Sequence, residues 1–255
     1  MKNTKIVLAK RPIGYPTLED FEIIKSDQDL LQRNQVSIRT LFLSLDPYMR
    51  GRMTATKSYA KNLEIGEVMT GEIIGIVENS SSENIPEGSI VLSKAGWQSN
   101  PIVNQDQVTI IDSRIDPITL ALGAIGMPGL TAYFGLTKIG KPKPGETVVV
   151  SAGSGAVGAT VGQIAKSMGC RVIGIAGSKE KINYMTENLG FDEGINYKES
   201  DWIENFKRSC KEGVDIYFDN VGGSISDSVI DEINDFARVI VCGQISQYNN
   251  SEPEL

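Results

Sequence analysis

The chain of 255 residues carries 25 lysines and arginines against 32 aspartates and glutamates, a formal charge of −7, and contains no histidine. The missing histidine excludes Ser-His-Asp and Cys-His nucleophile pairs, histidine-ligated metal and the usual general base near neutral pH. Chemistry here must come from Tyr, Lys, Asp, Glu, backbone amides or a borrowed cofactor. The acidic balance argues against nucleic acid as a partner and leaves room for a local basic pocket.

The first half reads as β. Strands are predicted at Lys5–Ala9, Val36–Leu45, Met69–Val77, Ser89–Ser93 and Gln107–Ile111, from β-branched runs separated by Gly/Pro turns. Many short strands with little helix point to a partly open barrel or sandwich. The uncharged stretch Ile118–Thr137 approaches membrane-spanning length. Its four glycines and Pro128 favour a buried, broken helix, so no membrane partner is expected. After the stiff Lys141–Gly145 turn, strands and helices alternate. Strands are expected at Glu146–Ser151, Arg171–Ala176, Gly194–Tyr197, Val214–Asp219 and Arg238–Cys242. Helices are expected at Ala156–Met168, Lys179–Leu189, Asp201–Lys211 and Ser224–Asn234. That alternation is the signature of an α/β doubly wound parallel sheet covered by helices. The three cysteines, Cys170, Cys210 and Cys242, are scattered and form no C-x-x-C, which favours a reducing, cytoplasmic compartment. The N-terminus has no apolar core of a signal peptide.

Gly153, Gly155 and Gly158 form a G-x-G-x-x-G that follows a predicted strand and opens an amphipathic helix. Gly153 is expected to permit the tight turn, Gly155 to let amides approach a pyrophosphate and Gly158 to let helix and strand pack closely. The helix N-terminus at Ala156 and Val157 then offers free N–H groups. An NAD site usually has a carboxylate at the end of the second strand. Here that end reads Gly177-Ser178-Lys179-Glu180-Lys181, with a hydroxyl and two lysines, which favours the 2′-phosphate of NADP(H). Asn220 and Gly243 stand at two later strand ends, where ligands of such sheets bind.

Together these stretches resemble the zinc-independent branch of the medium-chain dehydrogenase/reductase superfamily, that of leukotriene 12-hydroxydehydrogenase/prostaglandin reductase and the alkenal double-bond reductases. The resemblance rests on Asp46–Met53, Gly126–Tyr133, Ser151–Gly158, Gly162–Lys166, Gly174–Ser178, Tyr217–Gly223 and Cys242–Asn249, and spans nearly the whole chain. It implies a GroES-like substrate domain over residues 1–118 and a Rossmann NADP-binding domain over 119–255, with the active site in the cleft between them. It implies Gly155, Ala156, Val157 and Gly158 at the pyrophosphate, Lys181 and Tyr197 at the 2′-phosphate with Ser178 nearby, and Asn220, Cys242 and Gly243 at the nicotinamide half. Met127 and Thr131 would lie near the nicotinamide ring, and Tyr48 and Tyr248 would border the substrate as candidate catalytic donors. The Cys242 side chain is expected to be buried, its backbone being the contact. For Arg50 and Arg52, simple pairing with surface carboxylates is the alternative to a functional role. Zinc-dependent relatives use Cys and His ligands. With no histidine and no cysteine before Cys170, no metal site is expected.

The implied activity is NADPH-dependent reduction of the C=C bond of an enone or enal. A quinone reductase of the same superfamily and a non-catalytic NADPH-binding protein are the alternatives. The family pattern continues past Leu255 with a sixth strand, a helix and a tail, so the chain is expected to be C-terminally shortened, with a homodimer as the full-length form.

Overall fold

The structure, a computed structural model, describes residues 2–56 and 60–250. It divides into two compact units, Met1–Leu122 and Gly123–Leu255.

In the first unit, β1 (Lys2–Leu8) and β2 (Phe21–Asp27) form an antiparallel hairpin. β3 (Gln35–Leu43), β4 (Ile73–Ser80), β5 (Ile90–Ser93), β6 (Ile102–Asn104) and β7 (Val108–Ile110) form a curled antiparallel sheet in the order β6-β3-β4-β5-β7. Val36, Ile38, Ile73, Val77 and Val91 point inward from three of its strands and build the core. Gly75 marks the bend: a Cβ there would lie 2.3 Å from Ile38 Cγ2 and 2.6 Å from the Arg39 carbonyl. The short helix α1 (Tyr48–Arg52) follows the Asp46-Pro47 turn.

The pattern reading missed β2 and β6. The middle of β2 is largely exposed and lacks alternation, and β6 is only three residues long. β4 begins at Ile73 rather than Met69. Met69 instead donates its N–H to the Ile6 carbonyl and is buried against Leu8 and Met53. The unit extends to Leu122 because Ile118, Ala121 and Leu122, on a 3-10 turn, pack against Ile74 and Ile111.

The second unit opens with α2 (Met127–Phe134), continued as a π-helical turn to Gly140. Then come β8 (Thr147–Ser151), α3 (Ala156–Ser167), β9 (Arg171–Ala176), α4 (Lys179–Asn183), β10 (Glu193–Asn196), α5 (Trp202–Ser209), β11 (Val214–Asp219), α6 (Gly223–Ile230) and β12 (Ile233–Val241). The five strands are parallel, in the order β10-β9-β8-β11-β12. Val148 and Val150 face one helical layer with Ala132, Leu136 and Val161; Val149 faces the other with Phe206 and Val229. The strand order reverses between β8 and β11, and their carboxyl ends form a topological switch point.

The helix expected to reach Asn234 stops at Ile230. Ile233 is already paired with Val214, and the Asn234 amide donates to the Glu212 carbonyl and to Asp215. The extra residues before Arg238 bulge outward, with Phe236 at φ 65°.

Candidate functional site

The glycine turn joins β8 to α3. Its left-handed residue is Ala152, at φ 50°, so the tight turn does not depend on a positive φ at Gly153. Gly153 is required for space: a Cβ there would meet Met185 Sδ at 2.6 Å and Gly174 Cα at 3.1 Å. A Cβ on Gly158 would strike the Ala152 carbonyl at 2.3 Å, so helix and strand can pack only on a glycine. Gly155 differs, because a Cβ there would meet only the Ala152 oxygen, at 3.2 Å, and otherwise point into open space. No side chain caps α3, and among the described residues the amides of Ala156, Val157 and Gly158 have no acceptor. This cradle of uncapped donors at a twelve-residue helix N-terminus suits a pyrophosphate.

Ser178, at the end of β9, caps α4 by accepting from the Lys181 N–H at 3.3 Å. The Tyr197 ring lies over Gly177, where a Cβ would come within 2.9 Å of it. Lys179 and Lys181 are exposed, and neither ammonium has an ionic partner among the described residues. Lys181 also lines a cavity of about 510 Å³ that reaches Ser154 of the glycine turn. Ser178, Lys181 and Tyr197 thus offer one hydroxyl, one free cation and one phenol to an anion.

At the switch point, the Asn220 Nδ2 donates to the Ser151 carbonyl at 2.8 Å, leaving its amide oxygen as an acceptor. The Cys242 and Gly243 amides donate to the Asp219 carbonyl at 2.8 and 3.1 Å. Tyr248 curls back so that its hydroxyl accepts from the Gln244 N–H at 3.3 Å, against the flat face of Gly243. Cys242, whose side chain is expected to be buried, is an exposed residue just past the outer end of the edge strand β12, yet burial of its thiol pushes it above the usual cysteine range. Met127 and Thr131 share α2, where the Thr131 hydroxyl donates to the Met127 carbonyl at 2.8 Å; that helix packs on α3.

In the first unit, Tyr48 is half-buried and hydrogen-bonds Thr70. Burial pushes its phenol above the usual tyrosine range, with the Thr70 hydrogen bond working the other way. Arg50 donates to the Gly14 carbonyl at 2.9 Å and Arg52 to the Ala60 carbonyl at 3.0 Å. Pattern reading passed over the buried polar group of Ser151, Tyr217, Asp219 and Ser226. The signal was the aspartate that closes the buried run 216–218 at the end of β11.

The family described as N-terminal domain of oxidoreductase matches residues 4–111, and the one described as zinc-binding dehydrogenase matches residues 156–253. The chain is 45% identical to the NADPH-dependent curcumin reductase of Escherichia coli (strain K12), covering 98% of this chain and 73% of that protein. It is 44% identical to prostaglandin reductase 1 of Bos taurus, covering 96% of this chain and 74% of that protein. The crystal structure of CurA in complex with NADPH from Vibrio vulnificus superposes with a TM-score of 0.94 at 46% identity, over 99% of this chain and 75% of that one. The curled antiparallel sheet is the GroES-like domain of this fold and the parallel sheet its Rossmann domain. The chain belongs to the zinc-independent branch of the medium-chain dehydrogenase/reductase superfamily, the branch of the prostaglandin, curcumin and alkenal reductases.

Proposed function

We propose that the chain binds NADPH along the carboxyl ends of β9, β8, β11 and β12 and reduces the C=C bond of α,β-unsaturated ketones and aldehydes. The observation that carries this reading is the open face of Gly155 beside the uncapped amides of α3, with Lys181, in the first turn of α4 and without an ionic partner among the described residues, lining the cavity that reaches the glycine turn. The amides of Ala156, Val157 and Gly158 would hold the pyrophosphate. Lys181, Ser178 and Tyr197 would hold the 2′-phosphate. Asn220, Cys242 and Gly243 would hold the nicotinamide half, with Met127 and Thr131 beside the ring.

When bound, NADPH supplies a hydride to the β-carbon of the conjugated C=C bond. Negative charge then develops on the carbonyl oxygen, and a hydroxyl donor there lowers the barrier. Tyr48 and Tyr248 are the proposed donors, and water delivers the proton to the α-carbon. The GroES-like domain is proposed to end near residue 118 and the cofactor domain to begin at 119.

No helix among the described residues is long and apolar enough to cross a membrane. The free thiols of Cys170, Cys210 and Cys242 support a cytoplasmic location. The full-length form is proposed to be a homodimer.

Mixing the protein with NADPH and a panel of 2-alkenals and enones tests the activity. Loss of absorbance at the nicotinamide band is the expected result; no turnover across the panel would remove the assignment.

A further inference from the structure

β8, β11 and β12 end side by side, and Asp219 links all three ends. Its carboxylate is buried, with 4% of the residue exposed, and five donors surround it. Oδ1 accepts from the Ser151 hydroxyl at 3.1 Å, the Tyr217 phenol at 2.9 Å and the amides of Val221 and Gly222 at 2.9 and 3.0 Å. Oδ2 accepts from the Ser226 hydroxyl of α6 at 2.6 Å. Among the described residues no lysine or arginine pairs with Asp219, so dipoles alone answer its charge.

We propose that Asp219 is a positioning residue that sets the geometry of Asn220 and of the Cys242–Gly243 turn for the nicotinamide half of the cofactor. The inference rests on the cofactor reading above. Two routes carry it. Through the side chain, Asp219 accepts the hydrogen bond of the Ser151 hydroxyl, which orients the Ser151 oxygen to accept the Asn220 backbone N–H at 2.8 Å. The Asn220 amide is then held with Nδ2 on the Ser151 carbonyl at 2.8 Å. Through the backbone, the Asp219 carbonyl receives the amides of Cys242 and Gly243. The same carboxylate gathers the amides of Val221 and Gly222, and Gly222 sits at φ 73°, so the chain reverses directly after Asn220.

The test compares NADPH with adenosine 2′,5′-bisphosphate, which presents only the adenosine half, on wild type, Asp219→Ala, Asp219→Asn and Ser151→Ala, with thermal melts alongside. Asp219→Ala is expected to weaken NADPH on the order of tenfold while leaving the bisphosphate within about twofold. Asp219→Asn, which keeps an oxygen for Val221 and Gly222, is expected to recover most of that loss. Ser151→Ala removes the bridge to Asn220, is expected to give the same selective loss at smaller size, and carries the test if Asp219→Ala does not fold. Folded variants with unchanged NADPH affinity, or equal losses for both ligands, overturn the proposal. Wild-type protein that does not bind NADPH overturns the cofactor reading and this inference with it.

Discussion

The Arg52 guanidinium lies over the Tyr48 ring, 5.8 Å from its centroid, one turn further along α1. Arg52 is buried and its Nη1 is held by the Ala60 carbonyl at 3.0 Å, so the cation is fixed and the ring with it. A phenol held by a buried cation on its face and by Thr70 at its hydroxyl is a fixed donor. Tyr48→Phe is therefore expected to lower kcat on the order of 100-fold with NADPH affinity unchanged, as measured by steady-state kinetics and fluorescence titration. Full activity in that variant would leave Tyr248 as the donor.

Lys181 has no ionic partner among the described residues, so its charge is available to a phosphate. Lys181→Ala should weaken NADPH roughly tenfold or more and leave NADH nearly unchanged, since only NADPH carries the 2′-phosphate. Equal effects on the two coenzymes would place the phosphate elsewhere.

Two glycines of one turn should separate folding from binding. A methyl on Gly158 meets the Ala152 carbonyl at 2.3 Å, between helix and strand. Gly158→Ala should destabilise the protein by about 1–3 kcal/mol in urea unfolding, the usual cost of overpacking. Gly155→Ala has only the Ala152 oxygen nearby, at 3.2 Å, and its φ of −76° suits alanine. Its melting temperature should stay close to wild type while NADPH affinity falls, because the methyl fills the proposed pyrophosphate approach. Comparable melting losses in both variants would contradict this division.

Burial pushes the Cys210 thiol up to about 12. The unfolded chain ionises its thiols near pH 8.5, so above that pH the unfolded state holds fewer protons than the native state. The Cys210 contribution to stability is therefore complete below about pH 8.5 and is lost as pH rises towards the folded value. Cys210→Ala should flatten the alkaline limb of urea midpoints between about pH 8.5 and 10.5 relative to wild type. Parallel limbs would show that other groups set it.

Much of the cofactor cradle was legible in the linear pattern, for local reasons. Gly153, Gly155 and Gly158 stand between a β-branched run and an amphipathic helix, so spacing alone locates the turn. The missing carboxylate after β9 and the presence of Lys181 are equally local. The alternation of strands and helices after Glu146 follows from side-chain period, which any short window shows. What pattern could not supply was why the turn works: the positive φ falls on Ala152, and the neighbour that makes Gly153 indispensable is Met185, in a different element.

By itself the sequence determined a β-rich first half, the order of strands and helices in the second, the glycine turn and the exclusion of histidine chemistry, because all of these are written in residue type and short-range spacing. Only the tertiary structure decided what Asp219 does. Its donors come from Ser151, Tyr217, Val221, Gly222 and Ser226, and Ser151 reaches it only because β11 lies beside β8 rather than beside β10. Strand order is settled by how helices pack over both faces of the sheet. Tyr217, Val221, Gly222 and Ser226 are neighbours of Asp219 in the chain, but Ser151, the donor that ties it to β8, comes only from that packing.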